Sequence, residues 1–315
     1  MDKNYGMEIV RATEISALSA ARLQGIGNAT EILNFSREAI IKSLDRMQIE
    51  GWLVNDRFTG RKDTYQLPQT TGKGGPKMDV MIIAIEGYNA VASGKNNVST
   101  FAAITKEKGM LQIPNLSMFK IVVGPEAYGV VDINLPPIVN IKRVARALKT
   151  YTENVTVCIL EDERHLSLIE DVRKCGARIK LIPEGEISGS LAAIIGEKTD
   201  IFLSYGSAPE AVMIASAIKC LGGYFEGKLI YKNKKERDLA FKAGINDPNK
   251  KFKVEDLIFS NEIAFAATGI TDGEFLEGVR FTSNGAMTHS FVARGETRTY
   301  RKMETRHFFD YKPVY

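Results

Sequence analysis

Apolar residues in the first half of the chain recur first at helical spacing and then in strand-like runs. Residues 8–24 and 36–48 carry apolar positions three and four apart, which predicts two amphipathic helices. Ser36 is the predicted N-cap of the second helix, because its hydroxyl can accept a hydrogen bond from a first-turn N–H group. The polar segment 55–77 is rich in glycine and proline and predicts a long loop. Strands are predicted at residues 52–54, 78–87, 98–106 and 119–125.

The second half of the chain alternates between apolar runs and helical segments. A strand is predicted at residues 155–162, and a strand followed by a loop at 177–187. Helices are predicted at 138–152, 165–176 and 189–197, and a strand, glycine loop and helix within 200–223. This alternation predicts a parallel sheet with functional loops at the carboxyl ends of its strands. The predicted fold class is therefore α/β, with an α+β layered lobe over residues 1–150 and an α/β lobe over residues 151–315.

Composition and charge narrow the class of protein. Of the 315 residues, 44% are apolar and 25% charged, as in an ordinary globular protein. The net charge of +4 is not gathered into a single-sign tract, so it does not argue for nucleic acid. The sequence has no apolar run of membrane-spanning length, and residues 1–10 lack the apolar stretch of a secretory signal, so we expect neither a membrane span nor a secretory signal. Three scattered cysteines in apolar surroundings, Cys158, Cys175 and Cys220, predict reduced thiols in a cytoplasmic protein.

The segment DIFLSYGSAPEAVM (200–213) is the most informative candidate site. A hydrophobic strand runs into Gly206 and Ser207, and Pro209 suits the first turn of the helix that follows. Free N–H groups at such a helix start favour an anion such as phosphate. Glu210 is placed to face a metal ion or to bond the loop, and complementing the helix dipole is the open alternative.

Three further acidic segments follow predicted strands. Glu86 leaves the apolar strand IIAIE, where a carboxylate is costly unless it meets a cation, a donor or water. In LEDERHL (160–166), Arg164 can grip a phosphate with two hydrogen bonds, and a salt bridge at a helix start is the alternative. In IPEGEI (182–187), Glu184 and Glu186 could bond to sugar hydroxyls. Catalytic triads, zinc motifs, P-loops and dinucleotide fingerprints are absent from the sequence.

Several long segments, in order from about residue 8 to residue 310, carry a family resemblance. They are RATEISAL (11–18), IVVGPEAYGVVDINLP (121–136), RHLSLI (164–169), IPEGEI (182–187), YGSAPEAVMIASAI (205–218), FAATGITDGEFLEGV (265–279) and ARGETRTYRKMETRHFFD (293–310). Together they resemble the class II fructose-1,6-bisphosphatase (sedoheptulose-1,7-bisphosphatase) family, a branch of the lithium-sensitive phosphatase fold. The resemblance implies alternating helix and sheet layers. It also implies hydrolysis of the 1-phosphate of a sugar bisphosphate, a step of gluconeogenesis, with Mn²⁺ or Mg²⁺ held by carboxylates.

The resemblance places five metal-ligand positions on this sequence, and only two of them are acidic. The family's GGAPEG and DPIEGT motifs put ligands on Glu210 and Glu86, which are the implied catalytic and metal residues. The other three positions fall on Leu33, Arg57 and Ile83, which are not metal ligands. A guanidinium at Arg57 puts positive charge where a cation should sit, and our hypothesis is that it stands in for the metal.

Nearby acidic residues are candidates to replace the missing ligands. Glu31 could serve for Leu33, and Asp56 or Asp63 for Arg57, after a small shift in register. Asp79 is four residues from Ile83, about 13 Å along an extended strand, and is too distant to replace it. The family threonine that helps to position the attacking water falls on Tyr88 in this chain.

The resemblance also implies a set of residues that contact the sugar phosphate. They are Glu86, Gly87, Tyr88, Ser117, Asp162, Glu163, Arg164, Glu184, Gly185, Glu186 and Ser207, with Arg57 as a further phosphate contact. Two functions stay open: a metal-dependent sugar-bisphosphate phosphatase, or a catalytically impaired homologue that binds a phosphosugar. A different reaction on a phosphosugar is a third. We expect a homo-oligomer, or a hetero-oligomer with an active homologue.

Overall fold

The computed structural model describes residues 4–311 except residues 57, 59–61, 63, 65, 197 and 274. In chain order its helices are α1 (Tyr5–Ala21), α2 (Ala29–Leu44), α3 (Tyr88–Ala92), α4 (Pro137–Ala147), α5 (Leu166–Lys174), α6 (Glu186–Ile195), α7 (Ala208–Leu221), α8 (Lys234–Lys242) and α9 (Val254–Leu257). Its strands are β1 (Glu50–Leu53), β2 (Thr70–Thr71), β3 (Lys77–Glu86), β4 (Ser99–Lys106), β5 (Ser117–Val123), β6 (Thr156–Leu160), β7 (Arg178–Ile182), β8 (Ile201–Ser207), β9 (Tyr224–Ile230), β10 (Lys251–Phe252), β11 (Ile263–Gly269), β12 (Arg280–Thr282), β13 (Gly285–Arg294) and β14 (Thr299–Phe308). Short 3₁₀ helices lie at Pro125–Ala127, Thr152–Asn154, Glu163–His165 and Phe309–Tyr311.

The chain forms two compact units, and the first is assembled from both ends of the sequence. Unit 1 contains the residues up to Met110 and those from Ser260, and unit 2 contains Leu111–Phe259. The boundary near residue 150 that the sequence suggested falls inside unit 2. The reason is a long-range pairing: β11 lies beside β4 in antiparallel register, so the last strands complete the sheet begun by the first ones.

The described residues of unit 1 form an eight-stranded mixed sheet that packs against helices. Its order is β12-β13-β11-β4-β3-β1-β2, and β14 pairs with β13. Helix α1 contacts β4, β11 and β13, and α2 packs on α1 and β3. The helices and strands bury one continuous apolar cluster, which includes Ile9, Ile40, Val80, Ile104 and Ala264. Burial of this surface is the main favourable term for the unit.

Unit 2 contains a six-stranded sheet of order β10-β9-β5-β8-β6-β7. The pairs β6–β7 and β6–β8 are parallel, which confirms the predicted parallel strands, whereas β5 and β9 run antiparallel to their neighbours. Helices α4 and α5 cover one face through Val144 and Leu168. Helix α6 covers the other so closely that a Cβ on Gly189 would lie 2.6 Å from the Phe202 ring. The α/β fold class predicted from the sequence is confirmed.

Helix α2 begins seven residues before the predicted start. Asn28 is its N-cap and accepts a hydrogen bond from the N–H of Glu31. Ser36, the predicted cap, instead lies within the helix, fully buried, with its hydroxyl 2.7 Å from that of Ser16. The prediction of Ser36 as a cap was wrong, because a hydroxyl that bonds across two packed helices resembles a helix start in sequence. Over the part of the chain that is described, no helix is long and apolar enough to cross a membrane.

Candidate functional site

The loops singled out in the second half of the sequence gather at one edge of the unit 2 sheet. The parallel strands β6, β7 and β8 end there, and each runs into a helix. Ser117 begins β5 opposite Ser207, the last residue of β8, so the start of the antiparallel strand lies at the same edge. The edge therefore carries Ser117, Asp162, Glu163, Arg164, Glu184, Gly185, Glu186, Ser207 and Glu210.

Ser207 and Glu210 form two hydrogen bonds with each other at the start of α7. The N–H of Glu210 donates to Ser207 Oγ (3.3 Å), and Ser207 Oγ donates to Glu210 Oε2 (2.9 Å). The N–H of Ala208 donates to the carbonyl of Leu116 (2.8 Å), and Pro209 has no N–H to offer. The first-turn donors that the sequence offered as a phosphate site are thus already used within the protein, and Glu210 is buried.

A buried lysine lies behind this edge and was missed by sequence reasoning. Lys120, on β5, is fully buried, and its Nζ donates to Glu186 Oε2 (2.5 Å). Ser204 Oγ donates to the other oxygen of the same carboxylate (2.5 Å). The available signal was a lone lysine inside the apolar run FKIVV, because a buried ammonium needs a partner.

The Glu186 carboxylate is confined as well as paired. A Cβ on Gly206 would lie 1.5 Å from Glu186 Oε1, so only glycine leaves room for the glutamate arm. Burial raises the pKa of Glu186 to about 7, the charge of Lys120 opposes that rise, and Glu210 adds to it. Both oxygens of Glu186 therefore already accept bonds from the protein, and its role as a sugar contact stays a prediction.

Arg164 is the exposed cation of this edge. Its Nε and Nη2 donate to the two oxygens of Asp162 (2.9 and 3.0 Å). This pairing is the main reason that the pKa of Asp162 falls to about 2. Asp162 is also the chief cause of the raised pKa of Arg164, to which Glu186 and Glu210 contribute by their charges. The guanidinium is thus exposed and held in one orientation by Asp162. The buried carboxylates of Glu186 and Glu210 are close enough to stabilise its charge.

The neighbouring His165 is buried and neutral. Its Nε2 accepts a hydrogen bond from the N–H of Tyr205 (2.9 Å), and burial, followed by the charge of Arg164, lowers its pKa. An imidazole that accepts at Nε2 carries its proton on Nδ1. His165 therefore connects the loop after β6 to strand β8.

In unit 1, Glu86 ends β3 at a backbone irregularity. The pairing of β3 with β4 shifts register between Ile83 and Glu86. Gly87 then takes a left-handed conformation (φ 89°), which glycine adopts without strain, and Tyr88 begins α3. Glu86 is buried, and the Tyr88 ring meets the Phe58 ring edge-on at 5.8 Å. The position to which the resemblance assigns a threonine is thus held by an aromatic contact.

Two of the implied metal-ligand positions lie in the apolar core of unit 1. Leu33 on α2 is 1% exposed and packs in a cluster with Phe58, Ile85 and Val91. Ile83 on β3 is 5% exposed. Neither side chain has an oxygen, and a hard divalent cation requires oxygen ligands.

The acidic residues considered as replacements are bound to other groups. Glu31 accepts a hydrogen bond from its own N-cap residue, from Asn28 Nδ2 to Glu31 Oε2 (2.9 Å). Asp79 accepts from the N–H groups of Gly109 and Met110 (2.9 and 3.2 Å), at the other end of β3. Arg57 and Asp63 lie outside the described residues, so the hypothesis for Arg57 stays a prediction.

Asp56 is bound by the guanidinium of Arg37, a residue that the sequence analysis did not single out. Arg37 Nη1 and Nη2 donate to Asp56 Oδ1 and Oδ2 (2.9 and 2.7 Å), and both side chains are nearly buried. Arg37 also lies over the Phe58 ring, 5.1 Å from its centre. The signal was helical spacing, since Arg37 lies one turn after Leu33 and thus on the same face of α2.

These donor sets do not fit a divalent metal ion. The described residues include no cluster of three or more histidine, cysteine or acidic side chains that could hold one. The physical reason is local: two positions are aliphatic, and the carboxylate beside a third is neutralised by Arg37. Glu86 belongs to unit 1 and Glu210 to unit 2, and each is buried.

Comparison with known proteins identifies the family of the chain. The family model described as bacterial fructose-1,6-bisphosphatase, glpX-encoded, matches residues 3–307. The chain is 34% identical over 340 positions to a D-fructose 1,6-bisphosphatase class 2/sedoheptulose 1,7-bisphosphatase of Synechococcus sp. strain JA-2-3B'a(2-13), covering 98% of this chain and 97% of that protein. Proteins of the same description from Synechococcus sp. strain JA-3-3Ab and Synechococcus elongatus strain PCC 7942 are 33% and 32% identical, with 98% of this chain covered and 97% and 98% of theirs. This chain therefore belongs to the glpX-encoded bacterial fructose-1,6-bisphosphatase family.

Proposed function

We propose that this chain binds a phosphorylated sugar at the strand-end loops of unit 2 and does not hydrolyse it through a divalent metal centre. The observation that carries the proposal is the state of the implied ligand positions in unit 1. Leu33 and Ile83 are core residues, and Asp56 is held by both arms of the Arg37 guanidinium. A metal ion there would lack the oxygen ligands expected at Leu33 and Ile83 and would meet the positive charge of Arg37 at Asp56.

The ligand class follows from the family and from Arg164. The relatives are named for fructose 1,6-bisphosphate and sedoheptulose 1,7-bisphosphate, both of which carry two phosphate groups. A guanidinium matches the geometry of phosphate oxygens, and Arg164 is 59% exposed while Asp162 fixes its plane. Phosphate recognition therefore falls to this side chain rather than to the satisfied start of α7. Glu184, in the loop after β7, supplies an acceptor for sugar hydroxyls.

Metal-dependent hydrolysis of the 1-phosphate is the second candidate function. It is favoured by the names of the relatives and by the two retained glutamates, Glu86 and Glu210. When bound in this family, Mn²⁺ or Mg²⁺ activates water and neutralises the transferring phosphoryl group. The described donor sets do not fit such an ion, which places this function second. The cytoplasmic location and the pairing with an active homologue stay predictions.

Two measurements on the purified chain separate the candidates. The first is thermal unfolding with and without fructose 1,6-bisphosphate in the presence of EDTA, and the second is phosphate release with Mn²⁺ or Mg²⁺ added. We expect the sugar phosphate to raise Tm without metal, because a ligand at about 100 times its Kd stabilises the folded state by about 2.7 kcal/mol. We expect no metal-dependent phosphate release.

Matched variants locate the binding site. Arg164→Ala should remove most of the stabilisation, whereas Arg173→Ala, an exposed arginine at the far end of α5, should leave it intact. Absence of stabilisation in the unsubstituted chain would overturn the binding proposal. Metal-dependent phosphate release that disappears in Glu210→Gln would establish hydrolysis instead.

A further inference from the structure

A further segment of the chain lies at the same edge of the unit 2 sheet as the candidate site. Strand β9 runs antiparallel to β5 and sets Ile230 opposite Ser117, so β9 ends where the loops of the site gather. Strand β10 returns from this edge, because Lys251 pairs with Lys228. The connection between the two strands, residues 231–250, therefore begins and ends beside the site. None of the sugar-phosphate contacts implied by the resemblance lies in this connection.

Positive charge is concentrated in and around this connection. Residues 228–253 contain nine basic and three acidic side chains, a net charge of +6, whereas the whole chain carries +4. Lys232, Lys234 and Lys235 are exposed, and none of them forms an ion pair with a described residue. Lys251, in contrast, is paired with an aspartate at 3.0 Å. Unpaired cations therefore lie where the chain leaves β9, next to the loops of the site.

The turn after β9 is fixed by backbone hydrogen bonds. The N–H of Lys232 donates to Glu236 Oε2 (2.7 Å), and the N–H of Glu236 donates to Asn233 Oδ1 (3.1 Å). These two bonds resemble a capping box at the start of α8, and they hold the backbone of Lys232 in place. The lysine side chain itself is exposed. Lys232 therefore presents a free ammonium group from a fixed point of the edge.

Lys232 and Arg164 lie on opposite sides of the candidate site. The strand order β9-β5-β8-β6 puts three strand spacings, about 14 Å, between the ends of β9 and β6. The strands between them present Ser117 and Ser207, whose side chains are small. The hydroxyl of Ser117 makes no hydrogen bond to a described residue, so it is available to a sugar hydroxyl. Two long cationic side chains can close this gap around a sugar phosphorylated at both ends of its carbon chain, whereas a monophosphate meets only one of them.

We propose that Lys232 binds one phosphate of a sugar bisphosphate whose other phosphate is bound by Arg164, and that Lys232 thereby makes the chain selective for bisphosphates over monophosphates. Lysine binds phosphate as a point charge and needs no fixed plane, which suits an exposed side chain. The N–H groups of Ala208 and Glu210 at the start of α7 are bonded within the protein, so a second phosphate requires another cation. The inference rests on the proposed phosphosugar binding and adds the residue that selects for two phosphate groups.

Calorimetric titration of the full chain in EDTA tests this role, with fructose 1,6-bisphosphate and fructose 6-phosphate as the two probes. In Lys232→Gln the Kd for the bisphosphate should rise by roughly 10- to 100-fold, because one charge-assisted hydrogen bond is lost. The Kd for the monophosphate, which Arg164 binds, should stay the same. Lys232→Arg keeps the charge and should keep the preference for the bisphosphate. Lys242→Gln removes the same charge from the far end of α8 and is the matched control, with no change expected for either probe.

The outcomes separate this inference from the proposed function on which it rests. Bisphosphate binding that is lost in Arg164→Ala but unchanged in Lys232→Gln would overturn the role of Lys232 and leave phosphosugar binding standing. The role would also be overturned if Lys232→Gln weakened both probes equally, or if Lys242→Gln weakened the bisphosphate as much, since general charge would then explain the loss. A chain that binds neither probe would refute both proposals. The Tm of the unliganded Lys232→Gln variant should equal that of the unsubstituted chain, because the exposed Lys232 side chain forms no ion pair with a described residue.

Discussion

Replacing Lys120 with methionine should destabilise unit 2 strongly and in a pH-dependent way. Lys120 is fully buried, and once the ammonium is gone its partner Glu186 loses its cation while it keeps the bond from Ser204 and the neighbouring Glu210 carboxyl group. Removing one member of a buried ion pair costs about 3–5 kcal/mol, because the other charge is left without compensation. That is a large part of the roughly 5–15 kcal/mol that stabilises a typical domain.

The pH dependence follows from the pKa of Glu186. Burial raises this pKa from 4.5 to about 7 in the folded chain, so the folded state binds the proton more tightly than the unfolded state does. A raised carboxyl pKa means that stability falls as pH rises from 4.5 to about 7, by about 3 kcal/mol in total. Loss of Lys120 removes the charge that opposes the rise, so the window extends to higher pH. The difference between variant and unsubstituted chain should therefore be small near pH 6 and reach its full size near pH 8.5.

Urea unfolding followed by circular dichroism at these two pH values measures the effect. Lys42→Met removes a lysine from the exposed Glu38 pair and should cost only about 0.3–0.5 kcal/mol at either pH. Lys120→Met combined with Glu186→Gln removes both charges of this pair and should recover much of the loss. If Lys120→Met cost no more than the Lys42→Met control at pH 8.5, or the same at both pH values, the assigned ion pair would be refuted.

Three further predictions concern the same two units. Gly206→Ala should lower the free energy of unfolding in urea by about 1–3 kcal/mol or more, because the new methyl group would overlap the Glu186 carboxylate. Arg37→Lys should lower stability despite keeping its charge, because an ammonium cannot make both bonds to Asp56; an unchanged unfolding midpoint would contradict the bidentate geometry. Asp162→Asn should reduce the loss of folding stability that occurs below pH 3.8. The lowered pKa of Asp162 contributes stability above pH 3.8, and this contribution is lost as pH falls towards 2. Solvent screening limits the contribution to about 1 kcal/mol or less.

The strands and helices of unit 2 were predictable because their signals are local. Apolar runs such as VTVCIL mark β6, and the Ser207–Pro209–Glu210 sequence marks the start of α7. The division of the chain into its two units could not be predicted from local patterns. The pairing of β11 with β4 joins residues more than 150 positions apart, and no local pattern announces it.

In the candidate site, too, the local features could be predicted from the sequence, and the contacts between distant residues could not. The apolar residues at Leu33 and Ile83 could be assigned from the resemblance, and their burial follows from their chemistry. The partner of Asp56 could not, because Arg37 lies on another element 19 residues away and only the fold brings them together. Lys120 was visible as an anomaly in a strand, yet its partner depends on how closely α6 approaches β5.

Each unit neutralises its own carboxylate with a cation that is part of the chain. Arg37 does so for Asp56 in unit 1, and Lys120 does so for Glu186 in unit 2. A side-chain cation fills the electrostatic role of a metal ion in stabilising buried negative charge, but it has no open coordination position at which to activate water. Both pairs are also buried, so an arriving metal ion would have to displace a guanidinium or an ammonium from a site with little access to water. The proposal of a phosphosugar-binding chain without a metal centre rests on these two buried pairs.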